Sequence, residues 1–144
     1  MRIERRAAAG ATGPGYRTSP GARGAAPAQA VRSGPLAPGI TAHMIGRNLE
    51  RIRYPWREAV LSVLPVSEEV ILCECGSEDG TLEAMREMAA RHGKIRIVRG
   101  EWGPRCEVLA ARTNQCIAEV RTTHHLQIQA DEVLHESSYA EVLG

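Results

Sequence analysis

No apolar stretch of this 144-residue sequence is long enough to cross a bilayer. Nor does a basic start followed by an apolar core mark a secretory signal. Both absences lead to the expectation of a soluble, cytoplasmic protein. Lysine is nearly missing, since 17 of the 18 basic side chains are Arg. Acids and large apolar residues are nearly missing from residues 1–39. That segment holds ten Ala, seven Gly, five of the eight Pro and six Arg, with Glu4 as its single acid. A stretch so poor in apolar surface cannot offset its ordering entropy, so residues 1–39 are expected to be a disordered tail. They carry no helical apolar stripe, which argues against an organellar transit peptide. Their Arg-rich composition also fits a start-site artefact of a GC-rich gene.

Without the tail the charge reverses. The whole chain is formally +1, whereas residues 40–144 hold twelve basic and sixteen acidic side chains, a balance of about −4. An acidic folded part argues against a nucleic-acid partner. Cys73, Cys75, Cys106 and Cys116 are too few, in a chain without a secretory signal, to imply a disulfide framework. Cys73 and Cys75 are two apart at the end of an apolar run and would share one strand face. A thiol or metal pair is conceivable there, but one-residue spacing without a second ligand pair favours small buried hydrophobes.

What is present from residue 40 onward is a strand–helix rhythm. Ile40–Ile45 is a short apolar run with β-branched residues, a first strand. Pro55 opens a helix whose face carries Trp56, Ala59, Val60, Val63 and Leu64, and Pro65 closes it. Val70–Cys73 is a continuous apolar run, as suits a strand covered on both faces. After a polar turn, Asp79 is placed to cap a helix striped with Leu82, Met85, Met88 and Ala89, and Gly93 to end it. Lys94–Arg99 alternates as a third strand and Gly100–Arg105 is a loop. Leu109, Thr113, Cys116, Ile117 and Val120 mark a third helix, His124–Gln129 a fourth strand, and Tyr139–Leu143 a last short helix. The order β-α-β-α-β-α-β predicts an α/β fold, a mainly parallel sheet with helices on both faces.

In such sheets ligands bind at the carboxyl ends of the strands. Three polar clusters fall there: Gly46-Arg47-Asn48, Glu74 to Asp79, and Gln129 to Glu132. A carboxylate at the last position suits a hard cation such as Mg²⁺ or Mn²⁺ together with phosphate oxygens; it suits a solvated helix start equally well. The acidic turn of Glu74 to Asp79 can accept hydrogen bonds from a base or ribose, or can be an ordinary βα turn. Glu132-x-x-His135 would place two possible ligands on one helix face, but without a third partner they, like His124 and His125 before the strand, read as solvated surface.

Taken together, these segments resemble family 2 glycosyltransferases. Val70-Ile-Leu-Cys-Glu-Cys-Gly-Ser-Glu-Asp-Gly-Thr81 is similar to the family's apolar run followed by D-D-G-S-x-D-G-T. Leu109-Ala-Ala-Arg-Thr-Asn114 resembles its A-A-R-N helix, and Ile128-Gln-Ala-Asp-Glu132 its D-x-D-D metal motif. Met44-Ile-Gly-Arg-Asn48 stands where its first loop lies. The four segments occur in the family's order and cover most of residues 40–142. The resemblance implies a Rossmann-like GT-A half domain over residues 40–144, truncated before the acceptor half. It implies a nucleotide-diphospho-sugar ligand held by Asn48, Glu74, Asp79, Arg112 and Gln129, and Mg²⁺ or Mn²⁺ at Asp131. It also implies inverting sugar transfer to an acceptor that the sequence does not identify.

Two departures bear on chemistry. Gln129 replaces an Asp of the metal motif and brings no charge to a cation, and Cys75 replaces an acid. No residue stands out as the general base, so transfer would need a completing polypeptide. The competing expectations are a non-catalytic sugar-nucleotide-binding fragment and an interaction domain without sugar chemistry.

Overall fold

The run around Ile40 alternates two kinds of side chain, and the fold uses both. In the computed structural model, which describes residues 2–5, 35–103 and 108–144, strand β2 runs Ala37–Gly46. Ile40, Ala42 and Met44 enter one core, and Thr41 and His43 are buried on the opposite face. Strand β3 (Glu69–Glu74) is buried on both faces: Val70 and Leu72 join the first core, Ile71 and Cys73 a second. With β4 (Ile95–Arg99) and β5 (Thr122–Gln127) these form four parallel strands in the order β5-β2-β3-β4. Strand β1 (Arg2–Arg5) pairs antiparallel with the outer edge of β5.

The helices divide between the faces. Helix α1 (Leu49–Ile52) is one turn long. Helices α2 (Trp56–Val63) and α3 (Thr81–Arg91) cover the first face, where Trp56, Val60, Val63, Met85 and Met88 pack with Met44, Leu72 and Leu126. Helix α4 (Val108–Glu119) covers the second, where Cys116 and the following Val120 meet Ile71, Cys73 and Cys75. Helix α5 (Tyr139–Leu143) sets Tyr139 against the first core. The result is the α/β architecture read from the element order, of the Rossmann-like kind that the family resemblance implies.

The second face is the more polar one: Thr41, His43, Thr122 and His125 are buried on it, His125 in place of the surface position expected from the sequence, and His43 Nδ1 has no hydrogen-bond partner. Thr41 and Thr122 share a hydrogen bond of 2.8 Å between β2 and β5. His43 Nε2 lies 3.1 Å from His125 Nδ1. Arg96 joins β4 to β3 and α4, donating to Glu69 at 2.7 Å and to Glu119 at 2.9 Å.

Several boundaries differ from expectation for local reasons. Strand β1 and the first three residues of β2 fall inside the segment read as a disordered tail; residues 6–34 of it lie outside the described residues. Ala37 pairs with Thr122 and donates its N–H to Arg121 O at 2.9 Å. Such pairing uses backbone groups, which composition does not register. Strand β5 starts earlier than expected, at Thr122, and ends at Gln127.

Gly80, not Asp79, is the N-cap of α3, with φ 88°. Asp79 sits one position earlier and still accepts from Thr81 N at 3.1 Å. His92, not Gly93, ends α3, its N–H donating to Met88 O. Pro65 ends α2 within a 3₁₀ turn, Leu64–Val66. In the loop after β4, Arg105 and Cys106 lie outside the described residues.

Trp56 is fully buried and its indole N–H donates to Glu50 Oε1 at 2.9 Å. Trp56→Ala should cost about 3–5 kcal/mol of stability in urea titrations. Leu61→Ala on the same helix, at a side chain 44% exposed, should cost less than about 1 kcal/mol. Equal losses would contradict the assignment of α2's inner face.

Candidate functional site

The chain runs from β2 to β3 to β4 in one direction and then returns to β5 on the other side of β2. That reversal leaves a crevice between the β2 and β5 carboxyl ends, because the following loops diverge to opposite faces. A cleft of about 730 Å³ opens there. Its floor is Ile45 and Gly46 from β2 with Gln127 from β5 and Ile128 just beyond it. One wall is α1 with Tyr54; the other is Trp102 after β4 with Leu109 and Thr113 of α4.

Local sequence sets each edge of this cleft. Beyond β5 the chain alternates buried and exposed positions: Ile128 and Ala130 are buried, Gln129 and Asp131 exposed. The N–H of Ile128 donates to His43 O at 3.1 Å, and that of Leu134 to Ser62 Oγ at 3.0 Å. These anchors turn Gln129 and Asp131 into the cleft. Beyond β2, a Cβ on Gly46 would lie 2.6 Å from Leu49 Cδ1. Glycine there lets α1 fold back over the strand end.

Asn48 adopts a left-handed conformation, φ 55°, which Asn tolerates better than most residues. Its N–H donates to Ser77 Oγ at 3.0 Å, and its Oδ1 accepts from Glu78 N at 2.9 Å. Asp79 Oδ2 accepts from Arg51 N at 2.8 Å, and Thr81 Oγ1 from Glu50 N at 3.2 Å. The turns after β2 and β3 are thereby stitched together. Desolvation pushes the Asp79 carboxyl up, but the bonds donated by Thr81 and Arg51 outweigh it and hold the group below the usual carboxylate range.

Of the residues singled out in the sequence, Asn48, Gln129 and Asp131 line the cleft, while Glu74, Asp79 and Arg112 do not. Glu74 is fully buried; Oε1 accepts from Ser77 N at 2.5 Å. Its Oε2 lies 3.1 Å from Arg99 Nε, an ion pair by distance without hydrogen-bond alignment. Arg112 donates to Gln115 Oε1 at 2.6 Å and leans over Gly100, beside the thiol cluster. There Cys73 and Cys75 have sulfurs 3.8 Å apart. Hydrogen bonds from Cys116 and Cys75, with the charge of Arg112, draw the Cys73 thiol down, and its partners are pushed up in return. All three thiols are fully buried, as small hydrophobes would be.

Sequence reasoning passed over Arg51, Tyr54 and Trp102, which come after the carboxyl ends of β2 and β4, and read Leu109 as part of a helix's apolar side, whereas it is 55% exposed and lines the cleft. The charged side chains lining the cleft are Arg47, Arg51, Glu78 and Asp131. For a divalent cation the donor set is thin. Gln129 is neutral, and Glu132 Oε2 accepts from Gln129 N at 2.9 Å. Among the described residues no group of three or more His, Cys, Asp or Glu side chains is arranged to hold a metal ion. Asp131 alone suits a cation that keeps phosphate and water among its ligands; it does not make a protein-built cage.

A mannosyltransferase, PcManGT from Pyrobaculum calidifontis, solved in complex with GDP-Man and Mn²⁺, is similar in structure. The TM-score is 0.51 at 18% sequence identity, over 71% of this chain and 30% of that chain. The likeness is one of α/β fold, and the match covers less than a third of that chain. No protein-family model and no curated protein matches the sequence.

The cleft floor has a titratable support. His43 pairs in register with Gln127, and burial followed by the neighbouring His125 lowers its pKa to about 4. An unfolded His titrates near 6.5, so folding excludes a proton that the unfolded chain binds. The resulting stability is full above pH 6.5 and is lost as pH falls toward 4. Between pH 7.5 and 4.5 the wild type should lose about 2–3 kcal/mol more than His43→Gln in urea titrations. Parallel pH profiles would contradict this account.

Proposed function

We propose that the cleft between β2 and β5 binds a nucleotide-diphospho-sugar, as the donor site of a family 2-like, GT-A glycosyltransferase. The observation that carries this reading is placement. Asn48, Gln129 and Asp131, from segments resembling that family, line one cleft at the topological switch point. The likeness to a mannosyltransferase fold supports it.

In this reading the nucleoside lies between the α1 wall and Trp102, with Gln129 presenting donor and acceptor to sugar or ribose hydroxyls. Glu74, which is buried, and Asp79 and Arg112, which are half-buried, lie off the cleft lining: Glu74 and Asp79 fix the turn after β3, and Arg112 leans on the loop after β4. Asp131 is the residue that would contact Mg²⁺ or Mn²⁺ arriving with the diphosphate. Such a cation supplies positive charge to the leaving oxygen. Inverting transfer requires a general base against the acceptor hydroxyl, and no residue of this chain is assigned that role. Transfer is therefore proposed for the site as completed by a further polypeptide or segment, and binding for this chain alone.

Calorimetric titration of the chain with UDP- and GDP-sugars in Mn²⁺ tests the proposal. Saturable binding of one of them is expected, and Asp131→Ala should weaken it about tenfold, or ~1.4 kcal/mol. An absence of binding by every sugar nucleotide would favour an interaction domain instead.

A further inference from the structure

Among the described residues that line the cleft, Arg47 is the one with a buried side-chain donor that has no hydrogen-bond partner. It is the first residue after β2, and its position is set by Gly46, whose carbonyl accepts from Cys75 N at 3.0 Å. Its side chain is 33% exposed, yet Nε is buried with no hydrogen-bond partner. A buried N–H without an acceptor is costly, so such a group is a place to look for a missing ligand. The remaining ionic contact is weak: Nη2 stands 3.7 Å from Glu78 Oε1, on a side chain 71% exposed. Arg51 lines the same cleft.

Guanidinium geometry defines what would satisfy Arg47. The fork formed by Nε and an Nη matches two oxygens of a phosphate or carboxylate in a planar, bidentate contact. The cleft's carboxylates are poorly arranged to deliver that charge through a cation. Asp131 has no second acid beside it in the motif, because Gln129 is neutral and Glu132 is turned back onto Gln129 N. Two guanidiniums therefore face a ligand beside a single motif carboxylate.

We propose that Arg47 is a diphosphate contact, assisted by Arg51, that neutralises the ligand's phosphates directly, so that binding does not require a divalent cation. This rests on the sugar-nucleotide reading for the identity of the ligand, but not for the anion chemistry. The guanidinium brings its own positive charge to the phosphates, so the contact holds with or without metal. Asp131 then acts as a like charge toward a metal-free diphosphate and as a ligand only when a cation accompanies it.

Calorimetry with inorganic pyrophosphate, UDP, GDP and the parent nucleosides, each in EDTA and in Mn²⁺, tests the inference. Pyrophosphate and one nucleoside diphosphate should bind in EDTA. Arg47→Gln should weaken both roughly ten- to hundredfold, leaving nucleoside binding unchanged. Arg47→Lys should retain intermediate affinity, and Glu78→Gln should tighten binding by freeing the guanidinium. Asp131→Asn should weaken binding in Mn²⁺ but not in EDTA.

Binding that appears only with Mn²⁺, or that is indifferent to Arg47→Gln, would overturn the proposal. If Arg47→Gln fails to fold by circular dichroism, the EDTA arm and Glu78→Gln decide the matter on folded protein. Arg47-dependent pyrophosphate binding without any nucleotide binding would sink the sugar-nucleotide reading while leaving the anion site standing.

Discussion

Parallel pairing of β2 with both β3 and β5 is the constraint from which the cleft follows. The register sets Gly46 opposite Glu74 and His43 opposite Gln127. Loops far apart in sequence are thereby brought to one rim, because parallel strands all end on the same side of a sheet. The reversal of strand order at β2 then parts those loops, and the space between them is the cleft. Side-chain identity matters only after this backbone arithmetic is done. Arg47, Asn48 and Leu49 beyond β2 and Ile128, Gln129, Ala130 and Asp131 beyond β5 line the same opening.

Within that frame the polar side chains divide their tasks. Asp79, Ser77, Thr81 and the carboxamide of Asn48 satisfy backbone N–H groups of the neighbouring turn. They fix the walls and have little capacity left for a ligand. Glu74, buried between Ser77 N and Arg99, belongs to the same scaffold. Gln129 and Asp131 are held by their neighbours' burial instead, which leaves their own side chains free to face the opening. The proposed donor site is thus a rigid pair of stitched turns opposite a short segment pinned at Ile128, Ala130 and Leu134.

Much of this was legible in the sequence because burial on two faces leaves a plain trace. The Val70–Cys73 run marked β3, and the spacing of Trp56, Ala59, Val60 and Val63 marked α2. Edges were less legible. Strand β1 and the start of β2 are held by backbone pairing, and Ala, Gly and Arg advertise none of it. Helix α1 depends on left-handed residues at Asn48 and Arg53, which are not apparent before the turn is seen.

Motif spacing selected Asn48, Gln129 and Asp131, which line the cleft, and equally Glu74, Asp79 and Arg112, which do not: Glu74 is buried and the other two are half-buried outside its lining. Trp102 and Tyr54 belong to walls formed by elements distant in sequence, and only the register brings them together. The thiols Cys73, Cys75 and Cys116, read as small buried hydrophobes, are packed in the second core as that reading expects.

The central claim is that one nucleotide-diphospho-sugar sits across the carboxyl ends of β2 and β5. Amide NMR spectra of the chain during titration with UDP- and GDP-sugars test it most directly. The account predicts saturable shifts at Gly46, Arg47 and Asn48 together with Gln129, Ala130 and Asp131, and quiet amides at His92–Lys94 on the opposite rim. Shifts centred on that opposite rim, or spread over the sheet without saturation, would contradict it.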